Sequence, residues 1–198
     1  MKMTKEELIN ELQNYQMYLG EFVSDFVINE SICDFNDENQ SKFHYYGNCL
    51  SKISSALKYR QHMLCYLLFY KSSDGKSIPR LLNRIKSTSI LDDKELSRKI
   101  REIASQADDT LSKASQDIDN LKEYRHNVYA HWNDELFNTE WQNDFANNHK
   151  FNYENILELG GLCFRLFGEI LNLLGSQSFV GSVENDEAIQ RFICKLKE

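Results

Sequence analysis

One stripe of apolar residues constrains this chain more than any other feature. Ile100, Ala104, Ala107, Leu111, Ala114, Ile118, Leu121 and Val128 recur at alternating steps of four and three. That spacing puts all of them on one face of a helix. A helix this long is stable in water only when something covers its apolar face, so the stripe implies further helices. The series skips one place, and the residue standing there is Arg125.

The remaining sequence supplies those helices. Thr4-Lys5-Glu6-Glu7 has the form of a capping box, with Thr4 facing the amide of Glu7. Behind it, Leu8, Leu12, Tyr15, Leu19, Phe22 and Phe26 repeat the same four-and-three rhythm, predicting a first helix that ends near Ser31–Asn36. A second helix is predicted over about 39–70, with Leu50, Ile53, Leu57, Leu64, Leu67 and Leu68 facing inward. Ser72-Ser73-Asp74-Gly75-Lys76 reads as a loop. Ser77 is placed to cap a short helix, Ile78–Lys86, with Pro79 in its first turn, where a missing N–H is harmless. Asp92-Asp93-Lys94-Glu95 starts the long stripe, read as one continuous helix. Residues 132–150 are aromatic and poorly patterned, a loop with a short helix. Asn152 caps a last strong helix, Tyr153–Leu174, ended by Gly175, and Val183–Lys197 forms a terminal helix.

One proline and eight glycines in 198 residues are too little punctuation for an all-β chain. The expected fold is all-α: an up-and-down bundle of four main helices with short accessory helices, in one domain over 1–198 with its core at about 5–175. No apolar run approaches the roughly 18–20 residues that cross a bilayer. The N-terminus enters an amphipathic pattern without a signal-peptide core, so no membrane association and a cytoplasmic location are expected. Cys33, Cys49, Cys65, Cys163 and Cys194 are scattered and odd in number, which suits reduced, buried thiols. Neither clustered Cys/His ligands nor a phosphate-binding loop is found, so no metal and no cofactor are expected.

The formal charge of −7 hides an asymmetry. Residues 51–101 carry twelve Lys/Arg against four Asp/Glu, a local +8, and the rest of the chain totals −15. The basic segment is either a phosphate-attracting face or an ordinary solvated helix surface.

Arg125 is the informative anomaly. With Val128 at zero and about 100° per residue, Arg125 falls near +60° and His131 near −60°, on the two shoulders of the apolar stripe. A guanidinium placed there is either paired with a carboxylate or lines an opening. His131 has the matching pair of readings, a packing histidine or a titrating group. Metal-free RNA cleavage needs a base for the 2′-hydroxyl, an acid for the 5′-oxygen and a cation at the phosphate. Histidine titrates near neutrality and arginine grips two phosphate oxygens. On a regular helix the two side chains are about 9 Å apart along the axis and about 120° around it. Two such helices meeting at a twofold axis would surround one cleft with two Arg and two His, which makes a homodimer the economical arrangement. His44, His62 and His149 have ordinary surface or packing roles by the same spacing arguments. Tyr45, Tyr46, Trp132 and Trp141 are candidates for stacking bases, with packing the plainer reading.

At these residues the sequence resembles a known family. Arg125-His126-Asn127-Val128-Tyr129-Ala130-His131 resembles the Arg-x4–6-His signature of HEPN ribonucleases, in which a polar residue follows the arginine. Ala130-His131-Trp132-Asn133-Asp134 is similar to the Ala-His-x-Asp ending common in that group. Tyr66-Leu67-Leu68-Phe69-Tyr70, a polar loop and Ser77-Ile78-Pro79-Arg80-Leu81-Leu82 are similar to its abortive-infection U-type branch. The resemblance implies a homodimeric, metal-independent endoribonuclease, a toxin or phage-defence effector with RNA as substrate and an antitoxin protein as a possible partner. It assigns Arg125 to the scissile phosphate and His131 to general acid/base catalysis, leaving a 2′,3′-cyclic phosphate. His126 and Asn127 take supporting or RNA-binding places, although a regular helix would point His126 near 160°, away from Arg125. A non-catalytic HEPN dimer that binds RNA or protein is the alternative, and a purely structural helical adaptor is a third.

Overall fold

The computed structural model describes residues 3–38, 43–70, 77–87, 93–130, 144–145, 147–150 and 152–178. Its elements are α1 (Lys5–Glu38), α2 (Phe43–Phe69), α3 (Ile78–Ser87), α4 (Lys94–Lys113), α5 (Ser115–Tyr124), a π-helical turn (Arg125–Ala130) and α6 (Tyr153–Leu173). The described residues contain no strand, so the all-α expectation holds. The 72–76 loop, the 132–143 part of the aromatic segment, Cys194 and the 183–197 helix lie outside the described residues.

The helix starts are local chemistry and form as the sequence implies. Thr4 and Glu7 exchange both capping-box hydrogen bonds: the Glu7 amide donates to Thr4 Oγ1 (3.1 Å), and the Thr4 amide donates to Glu7 Oε2 (2.8 Å). Asp93 Oδ1 accepts from the amides of Glu95 and Leu96 at 2.9 and 3.1 Å. Asn152 Oδ1 accepts from the Glu154 amide at 2.9 Å. Each cap satisfies donors that the first helical turn leaves open. At the far end of α6, Gly175 takes φ 73°. The Ser176 amide then reaches Leu171 O and the Gly175 amide reaches Asn172 O. This paired closure needs a residue that tolerates the left-handed region.

Ser77 does not cap α3. Its Oγ is buried with no hydrogen-bond partner, because Ser77 itself sits in the core, 1% exposed, beside Ile78, Leu81, Leu82 and Ile85. Those four carry α3 into the protein; burying each removes roughly 1.5–3 kcal/mol of unfavourable apolar exposure.

The pairing of neighbours fixes the topology. Along α1 and α2, Phe22 meets Phe69, Asp25 meets Arg60, Asn29 meets Ser54, and Ile32 lies with Leu50. Numbers rising on one helix fall on the other, so the two run antiparallel. On another side of α1, Phe22 lies against Gly160, the Gln16 amide donates to Phe164 O at 2.9 Å, Tyr15 meets Phe167, and Gln13 reaches Ser176. Thus α6 is antiparallel to α1 as well. α4 packs on α3 and α6, and α5 with the π turn packs on α2. The result is the expected up-and-down bundle. Phe22, Phe69 and Phe167 are the largest side chains in a core that runs from Met3 to Leu174.

Three further expectations are corrected. The long stripe is not one helix: the backbone at Ala114 opens to φ −88°, ψ 6°, separating α4 from α5. A break of one residue leaves Leu111, Ala114 and Ile118 all buried, which is why the apolar rhythm survived it. On α2, Ile53 and Leu67 face out at 40% and 56% exposure. Gln61, His62, Cys65, Leu68 and Phe69 take the interior, since α2 is apolar around much of its girth and packs on both α1 and α5. Cys33 and Cys49 are exposed, whereas Cys65 and Cys163 are buried. In the basic segment, whose two readings were left open, some of the charges are met by carboxylates. Arg60 pairs with Asp25 and Glu21, Arg84 with Glu11, and Lys86 with Asp108.

No helix among the described residues is long and apolar enough to cross a membrane.

Candidate functional site

Regular α-helix ends at Tyr124, and the six residues Arg125–Ala130 wind as a π turn. The Arg125 amide is shared between Leu121 O and Lys122 O. From there the ladder loosens. The side-chain amide of Asn127 donates to Glu123 O at 3.0 Å and to Glu123 Oε2 at 3.2 Å. Asn127 is thus engaged in bracing the turn. π turns inside α-helices are rare and concentrate at functional sites, because an extra residue per turn is a conformational strain that packing must sustain.

The angular positions worked out for a regular helix therefore hold as far as Arg125 and no further. Arg125 is one α-turn beyond Leu121, which is 1% exposed, so the guanidinium emerges beside the core as the sequence implies. For residues beyond it, the 120° separation and 9 Å rise do not apply, because a π turn holds more residues than an α turn. His126 is half-buried and engaged in contacts of its own, where a regular helix would have turned it outward. His131 lies outside the described residues.

The partner of Arg125 is a ring, not a carboxylate. Its Cζ sits 4.4 Å from the centroid of Tyr66 on α2. Its Nε is buried with no hydrogen-bond partner, and no Asp or Glu among the described residues forms an ion pair with it. Tyr66 in turn stacks on Tyr70, one helical turn along α2, with centroids 4.8 Å apart and planes within 14°. Lys122 Nζ lies 5.4 Å from the Tyr70 centroid. Hydrogen bonding to Tyr70 holds the ammonium above the ordinary lysine range. Glu123 Oε1 is 3.9 Å from Lys122.

Below this row, His62 is 6% exposed and packs against Tyr124 with centroids 6.0 Å apart. Burial, with a smaller contribution from the Lys58 charge, pushes its pKa down to about 4. It is neutral at physiological pH, a packing histidine as its spacing suggested. Tyr124 meets Phe145 edge-on at 5.1 Å, and Phe145 lies against His149.

The start of α6 is tied to the same helix. Asp117 accepts from the Asn152 amide at 2.7 Å and from Asn155 Nδ2 at 3.0 Å, and the Asn120 side chain donates to Lys150 O. The chain entering α6 is therefore anchored on α5.

Sequence reasoning located Arg125 and missed its setting. Tyr66, Tyr70 and Lys122 are the additions, and two signals marked them: tyrosines four apart on α2, and Lys122 three residues before Arg125 on one face of α5. Among the described residues, no group of three or more His, Cys, Asp or Glu is placed to hold a metal ion.

The motif residues Arg125-His126-Asn127 thus open a π turn that packs against α2 in an all-α bundle. The HEPN family model described as AbiU2 matches residues 6–191, and the chain belongs to that family. No curated protein and no solved structure matches it.

Proposed function

We propose that this protein is a metal-independent endoribonuclease, an abortive-infection or toxin effector that acts as a homodimer. In this reading Arg125 holds the scissile phosphate and His131 is the general acid/base, with the motifs of two subunits sharing one cleft. A histidine base takes the 2′-hydroxyl proton, the 2′-oxygen attacks phosphorus, and the 5′-oxygen leaves with a proton from a histidine acid. The product ends are a 2′,3′-cyclic phosphate and a 5′-hydroxyl. Arginine contributes by meeting the charge that builds on the non-bridging oxygens, which a fixed cation does without reorganising.

The observation that carries the reading is the state of Arg125. Its guanidinium rests on the Tyr66 ring and its Nε is buried without a partner. A structural arginine in a protein interior is normally satisfied by a carboxylate. This one keeps its charge available, on a turn of unusual geometry. Asn127 and the half-buried His126 support the turn and the approach of RNA.

The test is cleavage of RNA in the presence of EDTA by the wild type, Arg125→Ala and His131→Ala. Wild-type cutting that both substitutions abolish, with cyclic phosphate ends, is the expected result. A wild type that cuts nothing, or variants that cut equally well, overturns it. A strict monomer in solution at working concentration removes the shared cleft.

A further inference from the structure

The cations near the π turn are held differently from those elsewhere. Arg60, Arg84 and Lys86 each lie against carboxylates, which cancel their fields. Arg125 lies instead against the Tyr66 ring at 4.4 Å, and Lys122 against the Tyr70 ring at 5.4 Å with Glu123 Oε1 at the edge of ion-pair range, 3.9 Å away. An aromatic quadrupole orients a cation without neutralising it. Both groups are therefore oriented by rings while their side chains keep some reach, and Glu123 meets the Lys122 charge only loosely, leaving it open to an anion.

Their spacing follows from two helices at once. Lys122 and Arg125 are three residues apart, about 4.5 Å of axial rise. Tyr66 and Tyr70 match that step on α2 with their 4.8 Å stack. Consecutive phosphates on one strand of a stacked nucleic acid rise about 3.4 Å, so two flexible cations at this interval reach neighbouring phosphates. The Lys122 side chain is 33% exposed, open to such a ligand. Among the described residues, the carboxylate in ion-pair range is Glu123, 3.9 Å off at Oε1, and its other oxygen accepts from the Asn127 side chain. Hydrogen bonding to Tyr70 keeps the Lys122 ammonium above the ordinary lysine range.

We infer that Lys122 and Arg125, seated on the stacked Tyr66–Tyr70 pair, form a two-cation cradle for neighbouring phosphates of one RNA strand, which then runs along α5. This rests on the reading of Arg125 as a phosphate-binding group and adds Lys122 and the two tyrosines to it.

The experiment measures binding separately from cleavage. A His131→Ala protein, and the same protein with Lys122→Gln or Lys122→Arg, is titrated with a labelled single-stranded oligoribonucleotide at several salt concentrations. Losing one phosphate contact lowers the slope of log K against log salt by about 0.7 for a single strand. Lys122→Gln is expected to show that decrease with several-fold weaker binding at low salt, and Lys122→Arg to restore the slope. A thermal melt confirms that the exposed substitution leaves the fold intact. An unchanged slope overturns the cradle, as does a His131→Ala protein that binds no RNA. If the wild type cuts RNA while the Lys122→Gln slope is unchanged, the cradle falls and the nuclease stands. If nothing is cut but the slope drops, the cradle stands and the nuclease falls.

Discussion

Replacing Arg125 by methionine separates a structural arginine from a functional one, and the structure sets the size of the effect. The buried, unpartnered Nε is an unmet hydrogen-bond donor, a penalty of roughly 1–3 kcal/mol that the substitution removes. The contact with the Tyr66 ring is lost, forfeiting about 0.5–2 kcal/mol. Methionine has similar helix propensity and fills the same slot with flexible apolar bulk. The net change therefore lies between a loss of about 1 and a gain of about 2 kcal/mol. For a chain of this size each kcal/mol moves Tm by roughly 2–4 °C, so Arg125→Met melts within a few degrees of the wild type, or above it. An arginine that completed a buried ion pair would behave otherwise, since its removal costs about 3–5 kcal/mol. Urea unfolding at one fixed protomer concentration gives the comparison, because self-association, where it occurs, couples stability to concentration. Tyr66→Leu and the double substitution complete a cycle whose coupling energy is expected at about 0.5–2 kcal/mol. A loss above about 3 kcal/mol in Arg125→Met, or a coupling near zero, refutes the account of a cation held by a ring alone.

Other outcomes follow from the same packing. His62 is buried and neutral, with its pKa at about 4 against 6.5 when unfolded. The unfolded chain therefore binds the proton first, and stability is full above pH 6.5 and declines as pH falls from there towards 4. The decline amounts to about 3 kcal/mol from this residue; His62→Gln flattens it in denaturation measured across that window, and a histidine NMR titration near its unfolded value would contradict it. A methyl group added at Gly161 would have only Arg165 Nη1 nearby, at 3.9 Å, whereas one added at Gly160 would meet the Phe22 ring at 3.2 Å. Gly161→Ala is thus expected to stabilise α6 by about 1 kcal/mol through helix propensity. Gly160→Ala should lose that gain to overpacking against Phe22, and equal melting temperatures for the two would count against the tight α1–α6 approach. Arg60→Met leaves buried Asp25 without its counter-charge and is expected to cost on the order of 3 kcal/mol. Adding Asp25→Asn recovers part of that loss, and no recovery in thermal melts would contradict the pairing.

Much of the bundle was legible because helix starts and apolar rhythm are local. Thr4, Asp93, Asn152 and Gly175 act within a few residues of themselves, and their chemistry does not wait for the fold. What depended on neighbours was not legible. The inward side of α2 passed over Ile53 and Leu67 because α1 and α5 approach from other directions, burying Gln61 and His62 instead. The break at Ala114 left no trace because its neighbours keep their spacing. The site was half legible. Arg125 stood out as a charge in an apolar series, but the ring that holds it lies far away in sequence, on α2, and no carboxylate count could reveal that no acid among the described residues pairs with it. The winding of Arg125–Ala130 has no compositional mark at all, since π and α turns use the same residues.

That winding has a consequence for how the motif tolerates change. A helix able to close its turns with either four- or five-residue steps behaves as a slip joint: one residue more or fewer is absorbed as a change of pitch. Upstream, Arg125 is clamped to Tyr66 and to regular α5, so the adjustment falls entirely on the residues after it. In this chain, a residue added or removed after Arg125 is expected to change the pitch of the turn while the arginine stays where it is.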